Sequence, residues 1–171
     1  MTALWLLVLL ALPSQDQHHA GVNRRGEAVM GFDQTATAHH FRLSSTGGDI
    51  EVTANSATDM ATIDRIRMHL QHIAGMFVAG DFTAPMLIHA KEPPGVAAMK
   101  KAGAAITYTY EPIERGGVVR IATTSARELD AVHDFLRFQI KDHRTRDPTP
   151  DGRDIPTMAQ GFRRPIALTK Q

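Results

Sequence analysis

The stretch Thr37-Ala-His-His-Phe-Arg-Leu-Ser-Ser-Thr-Gly-Gly-Asp-Ile-Glu-Val-Thr-Ala54 decides the fold. From Thr37 to Leu43 the residues alternate, with His39, Phe41 and Leu43 on one face and His40 and Arg42 on the other. Ser45-Thr46-Gly47-Gly48 makes a turn, and Ile50, Val52 and Ala54 alternate again, which predicts a β-hairpin. Asn55-Ser56 supplies an N-cap, and a helix follows to about Val78. Its apolar residues Ile63, Ile66, Leu70, Ile73 and Phe77 gather in one arc at helical spacing.

The same order of signals recurs further on. Ile106, Tyr108 and Tyr110 alternate with Thr107, Thr109 and Glu111, Gly116-Gly117 makes the turn, and Val119 and Ile121 continue the return strand. Thr124 or Ser125 caps a second helix running to about His143. Aligned on the glycine pairs and, with a three-residue gap, on Ile63-Asp64 and Leu129-Asp130, the two blocks read as a duplicated ββα unit. Between them a short strand is expected over Pro85 to His89 and a short helix over Pro94 to Ala102. The fold class predicted is α+β: duplicated ββα units forming an antiparallel sheet with helices packed on one face.

On either side of these blocks the signals change. The apolar run Thr2 to Leu12 is too short to span a bilayer and reads as a signal peptide over residues 1–15, which implies a periplasmic or secreted protein with no membrane contact after leader removal. Residues 16–34 lack apolar periodicity and read as an irregular N-terminal arm. Residues 35–146 form a single α+β domain. The turn-rich stretch 147–171 reads as an extended or disordered tail.

Composition narrows the chemistry. Lys plus Arg number 19 against 18 Asp plus Glu, a formal charge of +1 that gives no electrostatic case for nucleic acid as partner. The chain has no cysteine, which excludes disulfides, thiolate zinc sites, iron–sulfur clusters and covalently attached haem. A soft-metal site here is built from His, Met or carboxylate.

Nine histidines supply such donors. On the first helix His69, His72 and Met76 form a stripe beside the apolar arc. Spacings of three and four residues stack side chains on one surface, so two imidazoles and a thioether can face one ion. In the duplicated helix His69 corresponds to Phe135 and His72 to Phe138, so only the first copy carries ligand-capable rings. His39, His40, Met86 and His89 are the further donors expected. His133 and His143 lie on or beside the apolar face of the second helix, where a neutral, hydrogen-bonded core histidine is the commoner fate. His18-His19 suits a mobile metal-capturing arm.

Imidazole and thioether without thiolate favour copper, with zinc second and haem held through axial His a third possibility. No P-loop lysine, His-Glu-x2-His pair or Gly-x-Ser-x-Gly elbow is present. The segments His18 to Gly26, Met30-Gly31-Phe32-Asp33, His39-His40-Phe41, Arg67 to Ile73, Pro85 to His89 and Phe135 to Gln139 resemble a group of small exported, His-rich bacterial proteins of unassigned function. Some members of that group carry the label aspartate carbamoyltransferase. The phosphate loop of that enzyme family, Ser-Thr-Arg-Thr-Arg, is echoed here only by Arg144-Thr145-Arg146, so the sequence does not support the label.

The function expected is that of an exported transition-metal-binding protein, a carrier, buffer or sensor whose partner is the metal ion. The alternatives are a small periplasmic metalloenzyme and a non-metal binding module using the polar sheet face of His40, Arg42, Thr107 and Thr109.

Overall fold

A computed structural model describes residues 15–150. The expected leader, apart from its last residue, and the tail beyond residue 150 lie outside the described residues. The order of elements is α1 (Gln15–Met30), β1 (Thr37–Ser44), β2 (Gly47–Ala54), α2 (Met60–Val78), α3 (Thr83–His89), α4 (Val96–Ala102), β3 (Thr107–Ile113), β4 (Gly116–Ala122) and α5 (Ala126–His143).

The four strands form one antiparallel sheet in the order β1-β2-β4-β3. The duplication is visible as β1-β2-α2 and β3-β4-α5, and the two hairpins meet along β2 and β4. There Gly47 pairs with Ala122 and Thr53 with Gly116. Exchanging the units, which carries Gly47 onto Gly116 and Thr53 onto Ala122, leaves that register unchanged. The helices cross over. α2 packs chiefly on β3 and β4, whereas α5 packs on β1 and β2, so each unit's helix covers the other unit's hairpin. The core lies between them, and the predicted arc of Ile63, Ile66, Leu70, Ile73 and Phe77 is buried in it.

Both hairpins turn through two residues, Ser45-Thr46 and Glu114-Arg115, one step earlier than the glycine pairs suggest. The glycines open the return strands instead, because the central seam is close. A Cβ at Gly47 would lie 1.9 Å from the Ile121 carbonyl oxygen, and one at Gly116 would lie 2.0 Å from that of Val52.

Other boundaries also differ. α2 is capped by Asp59, which accepts the Thr62 N–H, while Ser56 is engaged with Thr58. The segment expected as a strand over Pro85 to His89 is helical. A five-residue apolar run does not separate strand from helix, and Pro85 sits in the first turn, where its missing N–H costs nothing. The expected irregular arm is largely the helix α1. It docks through Val22 and Met30, both buried in the core, and through polar ties: Arg25 donates to the Ile88 carbonyl at 2.7 Å and Arg144 to Asp16 at 2.8 Å. Two apolar anchors among glycines and polar residues give only a weak 3.6-residue hydrophobic period in the sequence. At the other end the domain extends past residue 146. Asp147 accepts the Phe41 N–H at 2.9 Å and so caps the open edge of β1.

Candidate functional site

Four imidazoles from four elements line one small cavity between α2, α5 and the β1–β2 hairpin. They are His39 of β1, His69 of α2, His89 of α3 and His143 of α5. The cavity is about 60 Å³, and apart from Gln139 its remaining wall is apolar, with Met30 of α1 among its members. The His39 and His143 rings stack at 5.6 Å between centres and 11° between planes, and His89 meets His143 edge-on at 5.1 Å. His69 lies edge-on to Phe32 at 5.8 Å.

The sequence folds this way because each ring sits where its element turns inward. His39 is on the inward face of β1 with Phe41 and Leu43. Gln139, Asp142 and His143 are three and four residues apart on α5, so they share a face. The duplication is informative here. In strand register His39 is equivalent to Tyr108, and in the helices His69 is equivalent to Phe135. His69 and Phe135 both line the cavity, so the equivalent positions contribute one imidazole and one apolar ring to the same space.

Burial sets the protonation. It lowers His39 to about 4, helped by His69 and His40, and lowers His69 to about 4, helped by His72. It also drives His143 well below its ordinary value, with His39 and His89 adding to the effect. For His89 the same desolvation outweighs the opposing pull of Asp142, and its pKa too is lowered. All four rings are neutral at neutral pH, the form in which imidazole ligates metals.

His89 has the most developed surroundings, with its side chain 1% exposed. Its Nδ1 donates to Asp142 at 2.5 Å, and its Nε2 lies 2.8 Å from the Gln139 side-chain amide. A neutral ring that donates from Nδ1 presents a lone pair at Nε2. Gln139 therefore turns its amide nitrogen toward the ring, which also gives a partner to a buried nitrogen that has none in the opposite orientation. Burial pushes the Asp142 carboxyl up, but hydrogen bonds from His18 and His89 outweigh it and hold it below its ordinary value. The Nε2 of His39 is buried and, among the described residues, finds no hydrogen-bond partner.

Of the ligands expected from sequence, His39, His69 and His89 meet at the cavity. The others do not. His72 is exposed one turn beyond His69. Met76 is half-buried against the hydrophobic core. The Met86 sulfur lies 3.8 Å from the Lys100 ammonium, and His40 lies outside the cavity, held by Asp147 at 2.9 Å. The methionine that does border the cavity is Met30.

His18 and His19 belong to the docked helix α1 rather than a loose arm. His18 contacts Asp142 at 2.8 Å, and His19 donates to the His143 carbonyl at 3.3 Å. His133 lies within 2.9 Å of the Ser44 carbonyl oxygen and 3.1 Å of that of Gly47, which fastens α5 to the first hairpin turn. Gln139 is the site residue that sequence reasoning missed, and His143 was expected as a core histidine rather than a cavity donor. The face that Gln139, Asp142 and His143 share on α5 was the available signal.

Among the described residues, no three His, Asp or Glu side chains converge closely enough to hold one ion as they stand. Among the same residues, no helix is long and apolar enough to cross a membrane. The fold and site thus define an α+β protein with a cluster of neutral histidines, His89 buried and His39, His69 and His143 partly so. No family model, curated protein or solved structure matches the chain.

Proposed function

We propose that the chain is an exported transition-metal-binding protein, a periplasmic or secreted carrier, buffer or sensor, that holds copper first and zinc second among His39, His69, His89 and His143. One observation carries this reading: four neutral imidazoles from four separate elements border one cavity of about 60 Å³. Two imidazoles on one ion, each nitrogen about 2.1 Å from it, keep their ring centres roughly 5 Å apart. The 5.1 Å and 5.6 Å separations here are close to that.

The support extends outward. Asp142 behind His89 is the carboxylate that commonly orients a ligating histidine and raises its basicity. Met30 adds a thioether, which weights the donor set toward copper. The cavity has room for a small ion and a few waters. A haem macrocycle does not fit it.

A second reading has its own observation. His89 is satisfied at both nitrogens, and the His39 and His143 planes are nearly parallel, so a shared ion requires Gln139 to yield and a ring to rotate. In that reading the cavity accommodates a small uncharged ligand without metal.

Titration of the untagged protein with copper(II) and zinc(II), followed by elemental analysis, separates the two. One tightly held equivalent is expected, with nitrogen splitting in the copper resonance spectrum that is lost in a His89→Ala, His143→Ala double variant. Absence of uptake, or full affinity in that double variant, overturns the metal reading.

A further inference from the structure

β3 is an outer strand of the sheet and pairs with β4 alone. The two-residue turn Glu114-Arg115 determines which of its backbone groups are left over. In such a hairpin the residues flanking the turn exchange hydrogen bonds, and bonded positions alternate from there. Ile113, Glu111, Thr109 and Thr107 therefore bond to β4, and the N–H groups of Tyr108 and Tyr110 point outward. Pro112 falls in the outward set, where its missing N–H costs the sheet nothing. The same count along β1 turns the Phe41 N–H outward, and there Asp147 accepts it. Among the described residues, no group accepts the outward N–H of Tyr108 or Tyr110.

α2 adds a second feature on this side. It packs on β3 and β4 and runs antiparallel to β3, since Arg67 donates to the Ile113 carbonyl while the Phe77 ring meets that of Tyr108 at 5.6 Å. Met60 and Val78 each stand nine residues from His69, about two and a half helical turns. His69 faces the cavity and α5 beyond it, so Met60 and Val78 lie on the opposite flank, toward the β3 edge. They are 55% and 66% exposed, and Gln71 on the same flank is exposed as well.

We propose that this side is a homodimer interface: β3 of two chains pair antiparallel across a two-fold axis, and the outer flanks of the two α2 helices pack together above the seam. With Tyr110 opposite its mate, each Tyr110 N–H meets the Tyr110 carbonyl of the second copy and each Tyr108 N–H meets its Pro112 carbonyl. Every outward donor is then used, although Pro112 supplies none. α2 sits about half a strand spacing inside the edge, which brings the two helix axes to about 10 Å, a distance at which helices pack. A free extended peptide on β3 would leave Met60 and Val78 bare, whereas a second α2 covers them. Charge permits the contact, because Glu111 is held by Arg120 of its own chain at 2.9 Å and the flank of Met60, Gln71 and Val78 is uncharged. Antiparallel pairing about a two-fold is also how β2 meets β4 within the chain.

This interface is independent of what the cavity holds, so the test is run with a chelator present. Sedimentation equilibrium of the untagged protein is expected to show a monomer–dimer equilibrium. Amide exchange of Tyr108 and Tyr110, followed by NMR, should be at least about tenfold slower where the dimer prevails than where the monomer does. A Met60→Lys, Val78→Lys variant sets like charges against each other at the seam and should raise the dimer dissociation constant at least about tenfold, with its circular dichroism unchanged. Should that variant unfold, Gln71→Lys on the same flank carries the comparison. A protein that stays monomeric at every concentration overturns the proposal. So do Tyr108 and Tyr110 amides equally protected in the monomer, which would place another segment of the same chain on the edge. A dimer that the substitutions leave intact, with these two amides unprotected, assigns the contact to a different face and overturns it as well.

Discussion

Acid should unfold this protein through its histidines before its carboxylates titrate. His39 and His69 have pKa values of about 4 in the folded chain against 6.5 for an ordinary imidazole. A group with a depressed folded pKa contributes stability that is complete above the unfolded value and drains as pH falls toward the folded one. The unfolded chain takes up the proton first. Each ring then costs about 1.4 kcal/mol per pH unit below 6.5, which reaches roughly 3 kcal/mol by pH 4. The two rings together remove about 6 kcal/mol, comparable to the whole stability of many domains, and His143 adds to the loss. The carboxylates whose pKa values are lowered, among them Asp142 and Asp147, contribute only below their ordinary value of 3.8. The interval between about pH 6.5 and 4.5 therefore reports the histidines. Urea unfolding followed by circular dichroism in the presence of a chelator, repeated across that interval, measures the slope. His69→Phe places there the ring that its duplicate position already carries as Phe135, and should flatten the slope by about 1.4 kcal/mol per pH unit. Stability that stays level across the interval, or a slope that this variant leaves unchanged, refutes the claim that these imidazoles are buried and neutral.

Three further outcomes follow from the packing. Gly116→Ala puts a methyl 2.0 Å from the Val52 carbonyl oxygen and should cost about 3 kcal/mol or more in thermal or urea unfolding, since backbone on the central seam cannot yield. His133→Ala removes the contacts to the Ser44 and Gly47 carbonyls and should cost about 1–3 kcal/mol while leaving copper uptake unchanged, which separates a structural histidine from a ligand. Asp142→Asn should weaken copper binding by about tenfold through loss of the charge behind His89. Because Asp142 also contacts His18, hydrogen exchange and limited proteolysis of α1 should rise in the same variant.

The hairpins and the two long helices were legible because each repeats its period over enough residues, and the duplicated glycine pairs fixed their correspondence. The apolar arc from Ile63 to Phe77 needed nothing beyond sequence. α1 escaped because Val22 and Met30, its buried anchors, are diluted by Gly21, Gly26 and polar residues, and its contacts with Ile88 and Asp142 exist only after folding. α3 escaped because five apolar residues satisfy either period. In the site, His39 and His69 could be placed by facing rules along their own elements. The identity of their partners could not, since it depends on how α5 and α3 approach. His72 shows the limit of the helical argument. Sharing a stripe with His69 puts it near the same surface, but the helix rotates it out of the core, and one turn separates a buried ring from a solvated one.

The crossed packing explains why the cluster belongs to the assembled fold and to neither unit alone. α5, from the second unit, lies on the first hairpin and brings Gln139, Asp142 and His143 against His39. His69 arrives on α2, which rests mainly on the second hairpin, and His89 arrives on the connection between the units. A lone ββα unit would leave His39 and His69 without the rings that enclose them, and their pKa values would return toward that of exposed imidazole, since desolvation is the first cause of each shift. Exchange of the units would offer two such cavities if the sequence were symmetric. Tyr108 and Phe135 stand at the positions equivalent to His39 and His69, and they join Phe77 and Phe82 in an aromatic cluster instead. Equivalent interior positions are thus filled by aromatic rings in one unit and by imidazoles in the other, and the two sets meet at the cavity that Phe77 and Phe135 also line. The cost of burying those imidazoles is what acid should draw out.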